Sequence, residues 1–134
     1  MYSVVKRIEF CYGHRLLDYQ GKCAHPHGHN GLVEIEVTAE ALDPAGMVID
    51  FGVIADKVAA FVEQALDHKM LLRKDDPLVE VLHRLGEPTY IMEVNPTAEN
   101  LARLIFDVAS AKGLAVSAVR FWETPQSFAE YRSY

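Results

Sequence analysis

The tightest constraint on the fold is the alternation that runs from Leu32 to Ala41. Val33, Ile35, Val37 and Ala39 share one parity, and Glu34, Glu36, Thr38 and Glu40 share the other. Successive side chains of a strand point to opposite faces, so this strand has one apolar and one polar side. Parallel sheets are covered on both faces and their strands read as continuous apolar runs. A strand with one wet face therefore predicts an antiparallel sheet with the core on one side.

The other elements follow from weaker periodicity and from caps. Val5 to Phe10 reads as a first strand, followed by a loop that includes the histidine-rich stretch. Asp43-Pro44-Ala45-Gly46 is a turn, and Met47-Val48-Ile49 a short extended piece. Asp50 caps a helix through about Leu66, with Ile54, Val58, Phe61 and Ala65 on its apolar stripe. Lys69 to Asp75 reads as loop. Leu78 to Leu85 is a short helix stopped by Gly86, and Tyr90 to Val94 is a short extended segment. Thr97 caps a helix with Leu101, Leu104, Ile105 and Val108 on its stripe, closed by Gly113. Ala115 to Thr124 and Phe128 to Tyr131 read as strands, with Val119, Phe121 and Glu123 sharing a side. Two strands, two main helices and two further strands make an α+β fold with an antiparallel sheet.

The 134 residues suit one domain, 1–134, with a real core. The net charge of −6 argues against a nucleic-acid surface. No apolar run reaches the roughly 18 residues of a membrane helix, and Met1 to Arg7 is not a signal peptide. Cys11 and Cys23 read as free thiols, so the expected location is cytoplasmic.

Chemistry is concentrated in Lys22-Cys23-Ala24-His25-Pro26-His27-Gly28-His29-Asn30, which holds three of the six histidines. Residues two apart on an extended chain point the same way, so His27 and His29 can reach one metal. His25 is a rival of the same parity. On an extended chain it lies about 13 Å from His29, too far for one zinc with Zn–N bonds of about 2.0–2.1 Å. The distant partner is His14. A hairpin turning near Gly21 sets it opposite His27 or His29. Three neutral imidazoles and an open fourth position describe a catalytic Zn2+ site.

Cys23 lies close to any metal held there. A free thiol is only about 3% thiolate at pH 7, and a nearby dication raises that fraction. Cys23 is thus a candidate general base, nucleophile or fourth ligand. Asp67-His68 is a candidate acid–base pair. Side chains of adjacent residues rarely meet in regular structure, so this pair needs a partner from across the fold or from another subunit. Glu123 ends a strand, where a carboxylate can accept two parallel N–H bonds from an amidine-like heterocycle edge. Taken alone, it reads as a solvated acid.

Taken in order, His14-Arg15-Leu16, Cys23-x-x-x-His27-Gly28-His29-Asn30, Gly46-Met47-Val48-Ile49-Asp50-Phe51, Leu66-Asp67-His68, Asn95-Pro96-Thr97-Ala98-Glu99-Asn100 and Glu123-Thr124 resemble the 6-pyruvoyl-tetrahydropterin synthase / 6-carboxy-tetrahydropterin synthase family. The resemblance spans nearly the whole chain. It implies a tunnelling fold: a four-stranded antiparallel sheet with two helices on one face, assembling edge to edge into barrels. The implied partner is the chain itself, as a hexamer built from two trimers with active sites between subunits.

The resemblance also implies roles. His14, His27 and His29 bind zinc, and Cys23 is the base, with Asp67 and His68 supplying protons. Glu123, Thr97 and Thr124 line the pterin pocket, and Lys22 and Arg15 are candidates for the triphosphate. The implied substrate is 7,8-dihydroneopterin triphosphate. The product is either 6-carboxy-tetrahydropterin, with loss of acetaldehyde, or 6-pyruvoyl-tetrahydropterin. The compact chain leans to the first, the branch that serves queuosine synthesis. No nicotinamide or flavin is implied, and no glycine-rich dinucleotide loop follows any strand.

Overall fold

A long hairpin dominates the computed structural model, which describes residues Met1–Tyr134. Strands β1 (Tyr2–His14) and β2 (His27–Ala39) pair antiparallel without a break, from Tyr2 opposite Ala39 to His14 opposite His27. β5 (Val116–Thr124) pairs with β2, and β6 (Ser127–Arg132) with β5, both antiparallel. On the other side of β1 lie β3 (Lys69–Arg73) and then β4 (Thr89–Met92).

Several expectations need correction here. The sheet has six strands rather than four, in the order β4-β3-β1-β2-β5-β6, and it is mixed. β3 runs parallel to β1, and β4 parallel to β3. Lys69 to Asp75 reads as loop because its charges flank only three apolar residues, yet Leu71 and Leu72 are fully buried. The histidine stretch is likewise not all loop, since β2 begins at His27. Met47 to Ile49 joins no strand.

Three helices complete the chain: α1 (Phe51–Phe61), α2 (Leu78–Arg84) and α3 (Ala98–Ala111). Asp50 caps α1 by accepting from Gly52 N at 2.7 Å. The helix runs on through a π turn, Val62–Leu66. Ile54, Val58, Val62 and Leu66 are its buried residues, while Phe61 and Ala65 are only partly buried. Thr97 caps α3 by accepting from Asn100 N at 3.1 Å, and Leu101, Ala102, Ile105, Phe106 and Ala109 face inward. Past the ends of α2 and α3 the chain turns at Gly86 (φ 73°) and Gly113 (φ 88°), a conformation glycine adopts freely.

The core lies between α1, α3 and the face of the sheet that carries Phe10, Val33, Ile35, Val37, Val119 and Phe121. The opposite face is polar but not simply wet. Glu34 is 8% exposed there. It accepts from Arg7 Nε at 3.0 Å and Trp122 Nε1 at 2.8 Å, which satisfies its buried charge.

Candidate metal centre

His14 closes β1 and His27 opens β2 directly opposite it, while His29 faces Tyr12 across the same ladder. All three share the parity of the core-facing residues. They gather at one end of the core face, with ring centroids 4.5, 5.1 and 5.0 Å apart.

One ring nitrogen from each imidazole lies within 4.8 Å of the others. Nε2 of His14 and Nε2 of His27 are 3.0 Å apart. The second nitrogens of His14 and His27 are committed elsewhere. His14 Nδ1–H donates to the Pro96 carbonyl at 2.7 Å, and His27 Nδ1–H to the His25 carbonyl at 2.7 Å. A carbonyl only accepts, so the protons sit on Nδ1 and the Nε2 lone pairs point into the cluster. Two lone pairs facing at this distance repel unless a cation lies between them. His29 Nε2 is buried and has no hydrogen-bond partner at all. Inward lone pairs with outer carbonyls fixing the ring orientation fit a divalent metal such as zinc.

The electrostatics agree. Burial pushes His14 down to about 4, against the Pro96 hydrogen bond and with help from His27 and His29. Burial also lowers His29, against the pull of Glu123. A neutral imidazole is the metal-binding form. Glu123 stands at the rim, with its two oxygens 4.0 Å from His14 Nε2 and 3.9 Å from His29 Nε2.

His25 contributes its carbonyl, and its ring is outside the cluster. Cys23 is half-buried on a single 3-10 turn, Lys22–Ala24, inside the hairpin connection. Its carbonyl accepts from Leu16 N at 2.9 Å, and its sulfur is not part of the cluster. Thr97 is occupied as the α3 cap, one residue from the Pro96 carbonyl. Thr124 lines a different cavity of about 430 Å³, with Arg7, Asn30 and Trp122. Arg15 forms a bidentate pair with the buried Asp76 and is not free for a phosphate.

Asp67 and His68 depart from expectation in geometry. Their side chains do meet: His68 Nδ1 is 2.9 Å from Asp67 Oδ2. His68 has φ 58°, outside regular structure, which folds its ring back on the preceding residue. Asp67 Oδ1 also accepts from Cys11 N at 3.0 Å. That backbone bond and the His68 contact hold its carboxyl below the usual range. His68 opens onto a separate cavity of about 310 Å³ with Cys11, Gly13, Met70 and Leu82. Within one chain, the pair is not brought to the imidazole cluster.

Sequence reasoning missed the Pro96 carbonyl and its support. Asn95 exchanges two hydrogen bonds with the backbone of Leu17, and Asn100 Nδ2 donates to the Asn95 carbonyl at 2.9 Å. These bonds fix the loop that orients His14. The motif Asn95 to Asn100 carried the signal, but nothing in it names a main-chain acceptor.

Comparison with known proteins gives a consistent result. Residues 3–134 match the family model for 6-pyruvoyl tetrahydropterin synthase. The chain is 35% identical over 137 residues to a Rickettsia conorii protein named 6-carboxy-5,6,7,8-tetrahydropterin synthase, covering 97% of this chain and 99% of that one. A Haemophilus influenzae protein of the same name is 29% identical, with coverage of 98% and 99%. Among solved structures, an uncharacterized Wolinella succinogenes protein superposes with TM-score 0.85 at 26% identity, covering 99% and 98%. The 6-pyruvoyl tetrahydropterin synthase of Caenorhabditis elegans shares the fold, with TM-score 0.73 at 23% identity and coverage of 99% and 96%. The match over nearly every residue, with a histidine cluster built across its main hairpin, leads to one conclusion: the chain belongs to the 6-pyruvoyl tetrahydropterin synthase family.

Proposed function

We propose that this protein converts 7,8-dihydroneopterin triphosphate and water to 6-carboxy-5,6,7,8-tetrahydropterin, acetaldehyde and triphosphate, as a zinc-dependent lyase serving queuosine synthesis in the cytoplasm. The observation that carries this reading is the convergence of three imidazole nitrogens in a chain whose near-full-length relatives bear that product's name.

His14, His27 and His29 hold the metal through neutral Nε2 atoms, each kept in place by the strand that carries it. A zinc ion held there would supply Lewis acidity toward the substrate's side-chain hydroxyls and the neighbouring C–H bonds. Cys23 takes the side-chain proton as thiolate. Asp67 keeps the proton on His68 Nδ1, so His68 Nε2 exchanges protons with the substrate. Glu123 accepts the paired N–H groups of the pterin's aminopyrimidine edge at the rim, with Thr97 beside the ring.

Asp67 and His68 lie away from the cluster of their own chain, so the reading includes a shared site. Cys23 and the zinc come from one subunit, and Asp67 and His68 from its neighbour. β4 and β6 are open edges of the sheet, and edge-to-edge closure into barrels, as a hexamer of two trimers, removes both. The alternative product, 6-pyruvoyl-tetrahydropterin, is favoured by the family model's own description. Incubation of zinc-loaded protein with dihydroneopterin triphosphate, followed by mass analysis, separates the two. The carboxy product with acetaldehyde supports the proposal. The pyruvoyl product, or none, rejects it.

A further inference from the structure

Tyr12 lies on the core face of β1 between Phe10 and His14 and is 4% exposed. Its hydroxyl is buried and has no hydrogen-bond partner. The only other such side-chain atom in the chain is His29 Nε2, which a metal would satisfy. An unpartnered buried hydroxyl destabilises the fold, and phenylalanine would fill the same space without that cost. A hydroxyl kept in such a place calls for a partner.

The ring's surroundings show where that partner is. Tyr12 packs edge-on against His14 and Phe121 and tilts over His29. It leans across β2 at Gly31, where an added Cβ would lie 3.0 Å from Tyr12 Cε1 and 3.3 Å from Phe121 Cζ. Glycine opens this passage from β1 toward β5. On β5, two residues past Phe121, stands Glu123. Its two oxygens approach the same two imidazoles, His14 and His29, that the Tyr12 ring packs against. The Glu123 oxygens, at 3.9 and 4.0 Å from the imidazoles, are beyond hydrogen-bond reach of them. A buried donor without an acceptor and a half-exposed carboxylate thus border the same pair of imidazoles.

We propose that Tyr12 is a positioning residue of the metal centre, its hydroxyl donating to the Glu123 carboxylate once a cation occupies the three Nε2 atoms. A carboxylate this close to a dication is drawn into the open coordination position. The Tyr12 hydrogen bond holds it back, which keeps that position open and leaves Glu123 at the rim for a ligand's N–H groups. The last clause rests on the pterin reading; the restraint itself does not.

Cobalt(II) in place of zinc reports this directly, because its visible absorption follows ligand number and geometry. Tyr12→Phe is expected to change the spectrum as Glu123 enters the coordination sphere. Adding Glu123→Gln to Tyr12→Phe should abolish that change. Gly31→Ala, which displaces the ring, should reproduce the Tyr12→Phe spectrum. A Tyr12→Phe spectrum identical to the unmodified protein's, or a change that survives Glu123→Gln, overturns the proposal. In a second arm, neopterin affinity of the zinc form should fall roughly tenfold in Tyr12→Phe at unchanged zinc content. An unmodified protein that binds no neopterin counts against the pterin reading, while the cobalt spectra still decide the role of Tyr12.

Discussion

At the scale of single residues, the cluster depends on which nitrogen each histidine presents. His25 takes part through its carbonyl alone, so His25→Ala should leave about one zinc per chain. His27→Ala or His29→Ala removes one of three ligands and should lower bound zinc well below one per chain by metal analysis. A requirement for the His25 ring would reverse this assignment. Cys23→Ala should keep its zinc and lose turnover of dihydroneopterin triphosphate, because the sulfur stands outside the cluster. Equal turnover by that variant would reject Cys23 as the base. The histidine cluster was legible in the sequence because reach is arithmetic: spacing by two favours His27 and His29, and extended length disfavours His25. The Tyr12 hydroxyl and the Pro96 carbonyl were not legible. A core tyrosine has no periodic signature beyond its ring, and a main-chain acceptor has none at all.

At the scale of elements, the caps and the alternating strand were readable and the pairing of short strands was not. Asp50 and Thr97 cap as their side-chain chemistry dictates. β3 and β4 are paired in parallel through long crossovers, so no local turn announces them. The loop between β4 and α3 shows how an element serves the site. Thr97→Ala should cost about 1 kcal/mol in thermal unfolding, an ordinary cap loss. Asn95→Ala frees the loop that aims the Pro96 carbonyl and should weaken zinc binding by about 10–100-fold in a chelator competition, as outer-shell losses do. Unchanged zinc affinity would mean that the strands alone orient His14.

At the scale of the whole molecule, one ion pair ties the end of β1 to the start of α2. Arg15 holds the fully buried Asp76 carboxyl below its ordinary value of 3.8. A folded-state value below the unfolded one adds stability that is complete above about pH 3.8 and is lost as pH falls through the lowered value. Asp76→Asn should therefore lose about 3 kcal/mol near neutral pH and unfold with a weaker acid dependence. The loss sits near the low end of the roughly 3–5 kcal/mol that breaking a buried pair costs, because Arg15 is partly exposed.

The shared site makes the strictest demand on the assembly, and a mixing experiment isolates it. Cys23→Ala and His68→Ala chains should each be inactive alone. If Cys23 and His68 of one active site came from the same chain, every site in a mixture would carry one defect and no activity would return. If they come from neighbouring chains, random assembly pairs an intact Cys23 with an intact His68 in roughly a quarter of sites. The separate cavity onto which His68 opens, away from the imidazoles of its own chain, favours the second outcome. Recovered activity near that fraction after co-refolding, with light scattering reporting a multimer, would support the barrel. A mixture as inactive as its components, at the same molecular mass, would place the whole reaction within one subunit and remove the need for closed edges.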